Sequence, residues 1–227
     1  TSLSVLKTTF SDPKTRWGIC AGLSVHWILN HAKGGTLATL LGGGGLGSIN
    51  QAKLREIAAL HSEVSGAGGD QQRDALGAWL AERQIVPLNK SQTMRLDHPR
   101  FLRAHPEGWT GRSHEVAMMN QSAAPLPDIE NTIMTEMMKF SSCYMRVNFG
   151  GTCLWTSAGH AIAVFIGQAA GQSAGDAVMF DPNYGEFWFE HKADFFAFFP
   201  EFYRAKYLSG ANSFNKSWEV LPCDHLA

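Results

Sequence analysis

Apolar side chains in the first part of the chain recur at helical spacing. Leu23, Trp27 and Ile28 fall on one face of a helix predicted over residues 20–33, and two glycines directly after it supply a stop. The same spacing predicts three further helices, over residues 49–64, 70–83 and 129–140. Between residues 85 and 128 the periodicity fades and five prolines interrupt the chain, so no element is predicted there.

Strand patterns replace the helical ones after residue 140. Residues 143–149 alternate in polarity, and residues 161–166 form a short apolar run rich in strand formers. Residues 176–180 and 186–189 flank the turn sequence Asp-Pro-Asn-Tyr-Gly. These two segments are therefore predicted to pair as a hairpin.

The end of the chain mixes both patterns. Residues 195–199 are predicted to make one helical turn, Pro200 to open a separate helix that runs to Tyr207, and residues 217–221 to form a last strand. Helices first and strands later favour an α+β fold with an antiparallel sheet. A length of 227 residues suits a single domain, 1–227, and a start without Met leads us to expect a piece of a longer protein.

Composition excludes several function classes. The chain has 19 basic and 20 acidic residues, a net charge of −1, whereas domains that bind nucleic acid usually carry a basic field. No apolar run reaches the length of about 18 residues that a membrane-spanning helix needs. His98, His105 and His114 lack the i, i+4 spacing of metal ligands, so we expect neither a metal nor a cofactor.

The four cysteines are too sparse for a disulfide scaffold, and none forms a C-x-x-C pair. We expect thiols, as in a protein that works in a reducing compartment. A bridge between Cys143 and Cys153 across a hairpin is the alternative.

Cys20 is the first candidate for chemistry, because it opens the first predicted helix. A thiol at a helix N-terminus meets unpaired N–H groups and the positive end of the dipole, which favour the thiolate. The thiolate is the nucleophile that acyl transfer needs. The alternative is that Cys20 is only a small buried residue at a helix start.

A thiolate nucleophile needs a base, and the base needs a group that orients it. His160 lies among small residues before the apolar run, and Asp181 ends the next predicted strand. In an antiparallel pair the start of one strand lies beside the end of the next, so His160 and Asp181 are expected to be neighbours. Taken alone, each residue has a non-catalytic alternative: His160 could be a histidine at the rim of the fold, and Asp181 could be only a turn residue.

Three segments together resemble the YopT/AvrPphB group of bacterial effector cysteine proteases. They read GICAGLSVHW at residues 18–27, GHAIAV at 159–164 and FDPNYG at 180–185, and they follow one another in the family's order. The resemblance implies a papain-like fold, with a helical lobe carrying the nucleophile packed on an antiparallel sheet carrying the histidine and the aspartate. It also implies that Cys20 is the nucleophile, His160 the base and Asp181 the orienting residue.

One stretch departs from the papain-like pattern. Such enzymes place a side-chain amide a few residues before the cysteine as an oxyanion donor, and residues 12–16 contain neither Asn nor Gln. The backbone N–H of Cys20 can donate, and Thr15 is a candidate for the second donor. The aromatic residues near the motifs are candidates for a substrate groove or could equally be core: Trp17, Trp155 and Tyr184.

The resemblance implies a bacterial effector or toxin that cleaves a host protein. No cleavable signal peptide is visible, and we expect a protein that a bacterium secretes and that acts in the cytosol of the target cell. Two alternatives keep the same thiol chemistry, namely cleavage of peptidoglycan and acyl transfer to lysine. A third alternative is a catalytically silent binding module, which the unusual oxyanion stretch favours.

Overall fold

The computed structural model describes residues 19–42, 50–65, 79–80, 82–83, 85–87, 126–140, 142–154, 156–167 and 175–225. The helix predicted over 70–83 lies almost entirely outside these residues. The described chain contains the following helices: α1 (Cys20–Ala32), α2 (Leu37–Leu41), α3 (Gln51–Ser65), α4 (Ile129–Met137) and α5 (Lys192–Tyr207).

The strands of the described chain form one antiparallel sheet. They are β1 (Ile85–Pro87), β2 (Cys143–Cys153), β3 (Thr156–Ile166), β4 (Ala177–Asp181), β5 (Gly185–Phe189) and β6 (Asn212–His225). Their order across the sheet is β1-β6-β2-β3-β4-β5, and every neighbouring pair is antiparallel. The predicted hairpin is β4–β5, and the predicted α+β class is confirmed.

Both faces of the sheet are covered by helices. On one face, α1 packs on alternate strand residues such as Ala161, Ala163 and Phe180, and α3 packs against α1. On the other face, α4 and α5 pack on the intervening residues, among them Val147 and Ile162. Because successive side chains of a strand point to opposite faces, each central strand contributes to both cores.

The C-terminal helix differs from the prediction. Residues 192–207 form one helix that runs through Pro200, so the predicted break there is wrong. Proline removes one backbone hydrogen bond from a helix interior. The burial of Phe195, Phe199 and Tyr203 on a single helical stripe spans the proline and offsets that loss.

The cysteines are thiols in the structure. Cys143 and Cys153 are the first and last residues of the same strand, β2, so the alternative of a bridge between them across a hairpin is wrong.

Candidate active site

The thiol of Cys20 lies at the N-terminus of α1. Cys20 is the first residue of that helix and is partly exposed. The N–H groups of a first helical turn have no partner within the helix, and the positive end of the dipole lies there. One turn further on, Ser24 Oγ donates a 2.9 Å hydrogen bond to the carbonyl oxygen of Ala161, which fixes this end of α1 on β3.

His160 and Asp181 come together at the edge where β3 and β4 stop pairing. The last paired residues are Ala163 and Phe180, so Asp181 lies one residue beyond the pairing and diagonally across from His160. His160 is 7% exposed and Asp181 is fully buried. His160 Nε2 lies 3.1 Å from Asp181 Oδ1, in an ion pair if the imidazole is protonated.

The remaining edge of the imidazole faces the thiol. The imidazole of His160 and the backbone groups of Ala161 and Ala21 are close enough to the thiol of Cys20 to lower its pKa. Because Nε2 is engaged by Asp181, Nδ1 is the nitrogen left for Cys20. The side chains of Cys20, His160 and Asp181 therefore form one interacting series contributed by α1, β3 and β4, with a hydrogen bond between His160 and Asp181 and an electrostatic interaction between His160 and Cys20.

The electrostatics of this series favour an ion pair. Burial alone raises the pKa of Cys20, but the hydrogen bond and the positive charge of His160 outweigh it, so the pKa of the thiol is lowered. Burial lowers the pKa of His160, but the charge and the hydrogen bond of Asp181, aided by Cys20, raise it to about 10. A thiolate beside an imidazolium is the state in which the pair can attack a carbonyl and then protonate a leaving group.

Asp181 is held by more than His160. The backbone N–H of Asn183 donates to Asp181 Oδ1 at 2.8 Å, and the hydroxyl of Tyr207 donates to Oδ2. Tyr207 also stacks on the imidazole of His160, with 5.2 Å between ring centroids. Sequence reasoning missed Tyr207, because a tyrosine at the end of an aromatic-rich helix carries no signal beyond that of a core residue.

Of the candidates for a substrate groove, Tyr184 lies at the site. It is 45% exposed in the β4–β5 turn, and its ring meets that of Tyr207 edge-on at 6.2 Å. Trp17, Trp155 and the candidate oxyanion donor Thr15 lie outside the described residues. The backbone N–H of Cys20, the other candidate donor, is at the start of α1.

The part of the chain that the structure describes holds neither a metal-binding cluster nor a membrane-spanning helix. That part of the chain has no group of three or more His, Cys, Asp or Glu side chains arranged to hold a metal ion. Its helices are also too short or too polar to cross a bilayer.

Comparison with known proteins points to a peptidase family. The family described as "Yersinia/Haemophilus virulence surface antigen", a family of peptidases, matches residues 2–223. "Cysteine protease yopT1" of Yersinia enterocolitica serotype O:8 / biotype 1B is 27% identical over 186 residues, which cover 82% of this chain and 49% of that protein. "Cysteine protease YopT" of Yersinia enterocolitica is 28% identical over 182 residues, which cover 80% of this chain and 48% of that protein. The chain thus spans about half the length of these relatives.

A solved structure shares the fold. The crystal structure of the Pseudomonas avirulence protein AvrPphB superposes with a TM-score of 0.52 at 15% identity, over 96% of this chain and 99% of that one. At this identity the likeness shows the fold alone, and it confirms the papain-like fold expected from the sequence.

Proposed function

Because the chain belongs to the peptidase family described as "Yersinia/Haemophilus virulence surface antigen", we propose that it is a cysteine protease whose nucleophile is Cys20. The observation that carries the proposal is the hydrogen bond between His160 and Asp181 beside a Cys20 thiol whose pKa the imidazole lowers. In this proposal His160 is the base and acid, and Asp181 orients it. Residues 1–227 act as one catalytic domain, a reading supported by a family match that runs from residue 2 to residue 223.

The proposed reaction has two halves. In the first, the Cys20 sulfur bonds to the carbonyl carbon of the scissile peptide, and the C–N bond breaks as the His160 imidazolium gives its proton to the leaving amine. This leaves a thioester on Cys20 and a neutral imidazole. In the second half, water gives a proton to His160 and its oxygen bonds to the acyl carbon, so the carboxylic product leaves and the thiolate–imidazolium pair returns.

Charge that develops on the carbonyl oxygen needs donors. The backbone N–H of Cys20, at the positive end of α1, supplies one in this proposal, and Thr15 supplies the second. Tyr184, Trp17 and Trp155 line the substrate groove. The exposed ring of Tyr184 beside Tyr207 and Asp181 supports this role for the first of the three.

We also propose that the substrate is a protein of a target cell. The protein would be secreted by a bacterium and would act in the cytosol of that cell, where thiols stay reduced. The word virulence in the family's description supports a target in a host cell.

The test is proteolysis in a lysate of host cells. Wild-type protein and Cys20→Ala are incubated separately in the lysate, and new protein N-termini are mapped by mass spectrometry. We expect a small set of termini that appear with the wild type and are absent with Cys20→Ala. Equal sets with the two proteins would overturn the assignment of Cys20, and no new termini with either would favour the silent binding module.

A further inference from the structure

Tyr207 is buried, yet its hydroxyl faces a carboxylate. It is the last residue of α5 and is 3% exposed. Its hydroxyl donates to Asp181 Oδ2, while Asp181 Oδ1 accepts from His160 and from the N–H of Asn183. Each oxygen of the carboxylate therefore has its own donors, and only Tyr207 is seen to serve Oδ2 among the described residues.

The ring of Tyr207 contacts the other half of the same pair. It stacks on the imidazole of His160 with 29° between the ring planes. The ring is itself fixed by edge contacts with Phe149 at 4.7 Å and with Phe214 at 5.5 Å between centroids. Such packing prevents the ring from sliding off His160 and keeps water from one side of the His160–Asp181 hydrogen bond.

A second tyrosine of α5 shows what a purely packing role looks like. Tyr203 lies one turn earlier, is fully buried and packs on the same Phe149. Its hydroxyl donates to the backbone oxygen of Phe214 at 2.5 Å. The structure shows no hydrogen bond or ring contact from Tyr203 to His160 or Asp181, within the part of the chain that it describes.

We infer that Tyr207 is a positioning residue that clamps the His160–Asp181 pair, with its hydroxyl on one carboxylate oxygen and its ring over the imidazole. This inference rests on the proposed function, since it assigns Tyr207 a part in the same reaction.

The phenol is suited to this task because it stays protonated. Burial, with the negative charge of Asp181 added to it, raises the pKa of Tyr207 far above its ordinary range. The hydroxyl thus stays protonated, and remains a donor, beyond the pH at which an ordinary tyrosine ionises. By sharing the charge of Asp181, it also limits how strongly that carboxylate stabilises the imidazolium, so that His160 can still release its proton to a leaving amine.

Tyr207→Phe removes the hydroxyl and keeps the ring, and Tyr203→Phe is the matched control, since it also deletes one buried hydroxyl. The first measurement is the ¹⁵N NMR titration of His160 in the wild type and both variants, which needs no substrate. Without the phenol, Asp181 keeps its full charge and stays aligned through Asn183. We therefore expect a higher pKa of His160 in Tyr207→Phe and the wild-type value in Tyr203→Phe.

The second measurement is a double-mutant cycle on kcat/KM. In the wild-type background Tyr207→Phe should lower kcat about 10-fold with little change in KM. In the Asp181→Asn background the same substitution should lower kcat less than about 2-fold. Equal losses in both backgrounds, or a titration of His160 identical to that of Tyr203→Phe, would show that Tyr207 only packs.

Should Tyr207→Phe not fold, Tyr207→Gln replaces it. Its amide can still donate to Asp181, so the pKa of His160 should stay near the wild-type value while kcat falls, and an unchanged kcat would overturn the inference.

Failure of the proposed function is recognised separately. Proteolysis that persists in Cys20→Ala would remove the reaction to which Tyr207 is assigned, whatever His160 does in the titration. A wild-type protein that needs Cys20 and yet is indifferent to Tyr207→Phe would overturn the inference about Tyr207 alone.

Discussion

Ser24 Oγ donates a 2.9 Å hydrogen bond to the carbonyl oxygen of Ala161, and this contact joins two elements that lie 137 residues apart in the chain. Ser24 follows Cys20 by one helical turn, and Ala161 follows His160 directly. The bond is fully buried at Ser24, which is 0% exposed. It therefore sets the position of the helix that carries the thiol against the strand that carries the imidazole.

Ser24→Ala should loosen this alignment. We expect a loss of about 1–2 kcal/mol in the free energy of unfolding, because a buried hydrogen bond disappears, and a fall of about 10-fold in kcat/KM. Denaturant melts and initial rates measure the two effects. Ser209→Ala is the control, since that serine also donates to a backbone oxygen but at an exposed position. Rates that are equal in both variants would contradict the alignment role.

Cys20→Ala should abolish proteolysis and leave the fold intact. A partly exposed cysteine at a helix start contributes little packing, so the free energy of unfolding should change by at most about 1–2 kcal/mol. The rate should fall by about 10³-fold or more. Cys153→Ala, at another partly exposed cysteine, should keep wild-type activity. Unfolding of Cys20→Ala at room temperature would instead mark Cys20 as a structural residue.

The pH dependence of kcat/KM should be bell-shaped and broad. The acid limb reports loss of the thiolate, whose pKa is lowered, and the alkaline limb reports loss of the imidazolium, whose pKa is raised to about 10. Activity is therefore expected to set in at a pH below the ordinary pKa of a thiol and to fall as the pH approaches 10. A rate that begins to rise only above pH 8 would point to a thiol without a partner.

Substitutions at Asp181 should give graded losses. Asp181→Asn keeps an oxygen that can accept from His160 and from the N–H of Asn183 but removes the charge that stabilises imidazolium, so kcat should fall about 10- to 100-fold. Asp181→Ala should lower kcat further, and neither substitution at Asp181 should lower kcat as much as His160→Ala. Rates and melting temperatures are measured together on the three variants. A stably folded Asp181→Ala with full activity would leave Asn183 as the next candidate.

His26 should make the protein sensitive to acid. It is 1% exposed, and burial lowers its pKa to about 4, with Glu56 opposing and Lys53 and Arg83 reinforcing the effect. Below the ordinary pKa of about 6.5 the unfolded chain takes up a proton that the folded chain refuses. The free energy of unfolding should therefore be highest above pH 6.5 and should decline by about 3 kcal/mol as the pH falls to 4.

The contribution of His26 is measured by denaturant melts across this range. His26→Leu cannot take up the proton and should lose less stability toward acid than the wild type. His191→Gln, at an exposed histidine, should follow the wild-type curve. Parallel curves for all three proteins would show that His26 does not carry the acid sensitivity.

Sequence patterns predicted the helices and strands whose apolar residues alternate or repeat regularly. They missed the elements that form because of tertiary contacts. Helix α1 and the β4–β5 hairpin follow from local periodicity and turn chemistry. The part of β2 after residue 149 was not predicted, because Gly150 and Gly151 are poor strand formers. The structure explains Gly151: a Cβ there would lie 2.0 Å from the Ser213 backbone oxygen of β6, where the pairing of β2 with β6 is irregular.

The residues of the candidate site also fall into those that sequence patterns could single out and those that they could not. Cys20, His160 and Asp181 could be singled out because each lies beside a recognisable boundary of a helix or strand. Ser24 and Tyr207 could not, since their partners are set only when α1 and α5 pack on opposite faces of the sheet. No local pattern distinguishes a serine or tyrosine that aligns such a site from one that fills a core.

The most direct test of the account is the rate at which iodoacetamide alkylates Cys20 at pH 6, read by peptide mass mapping. Cys153, which is also partly exposed, is the internal reference. An activated thiolate should react at least about 10-fold faster than Cys153, and His160→Ala should remove the difference. Alkylation of Cys20 no faster than that of Cys153, or a rate unchanged in His160→Ala, would contradict the thiolate–imidazolium pair on which the proposed protease rests.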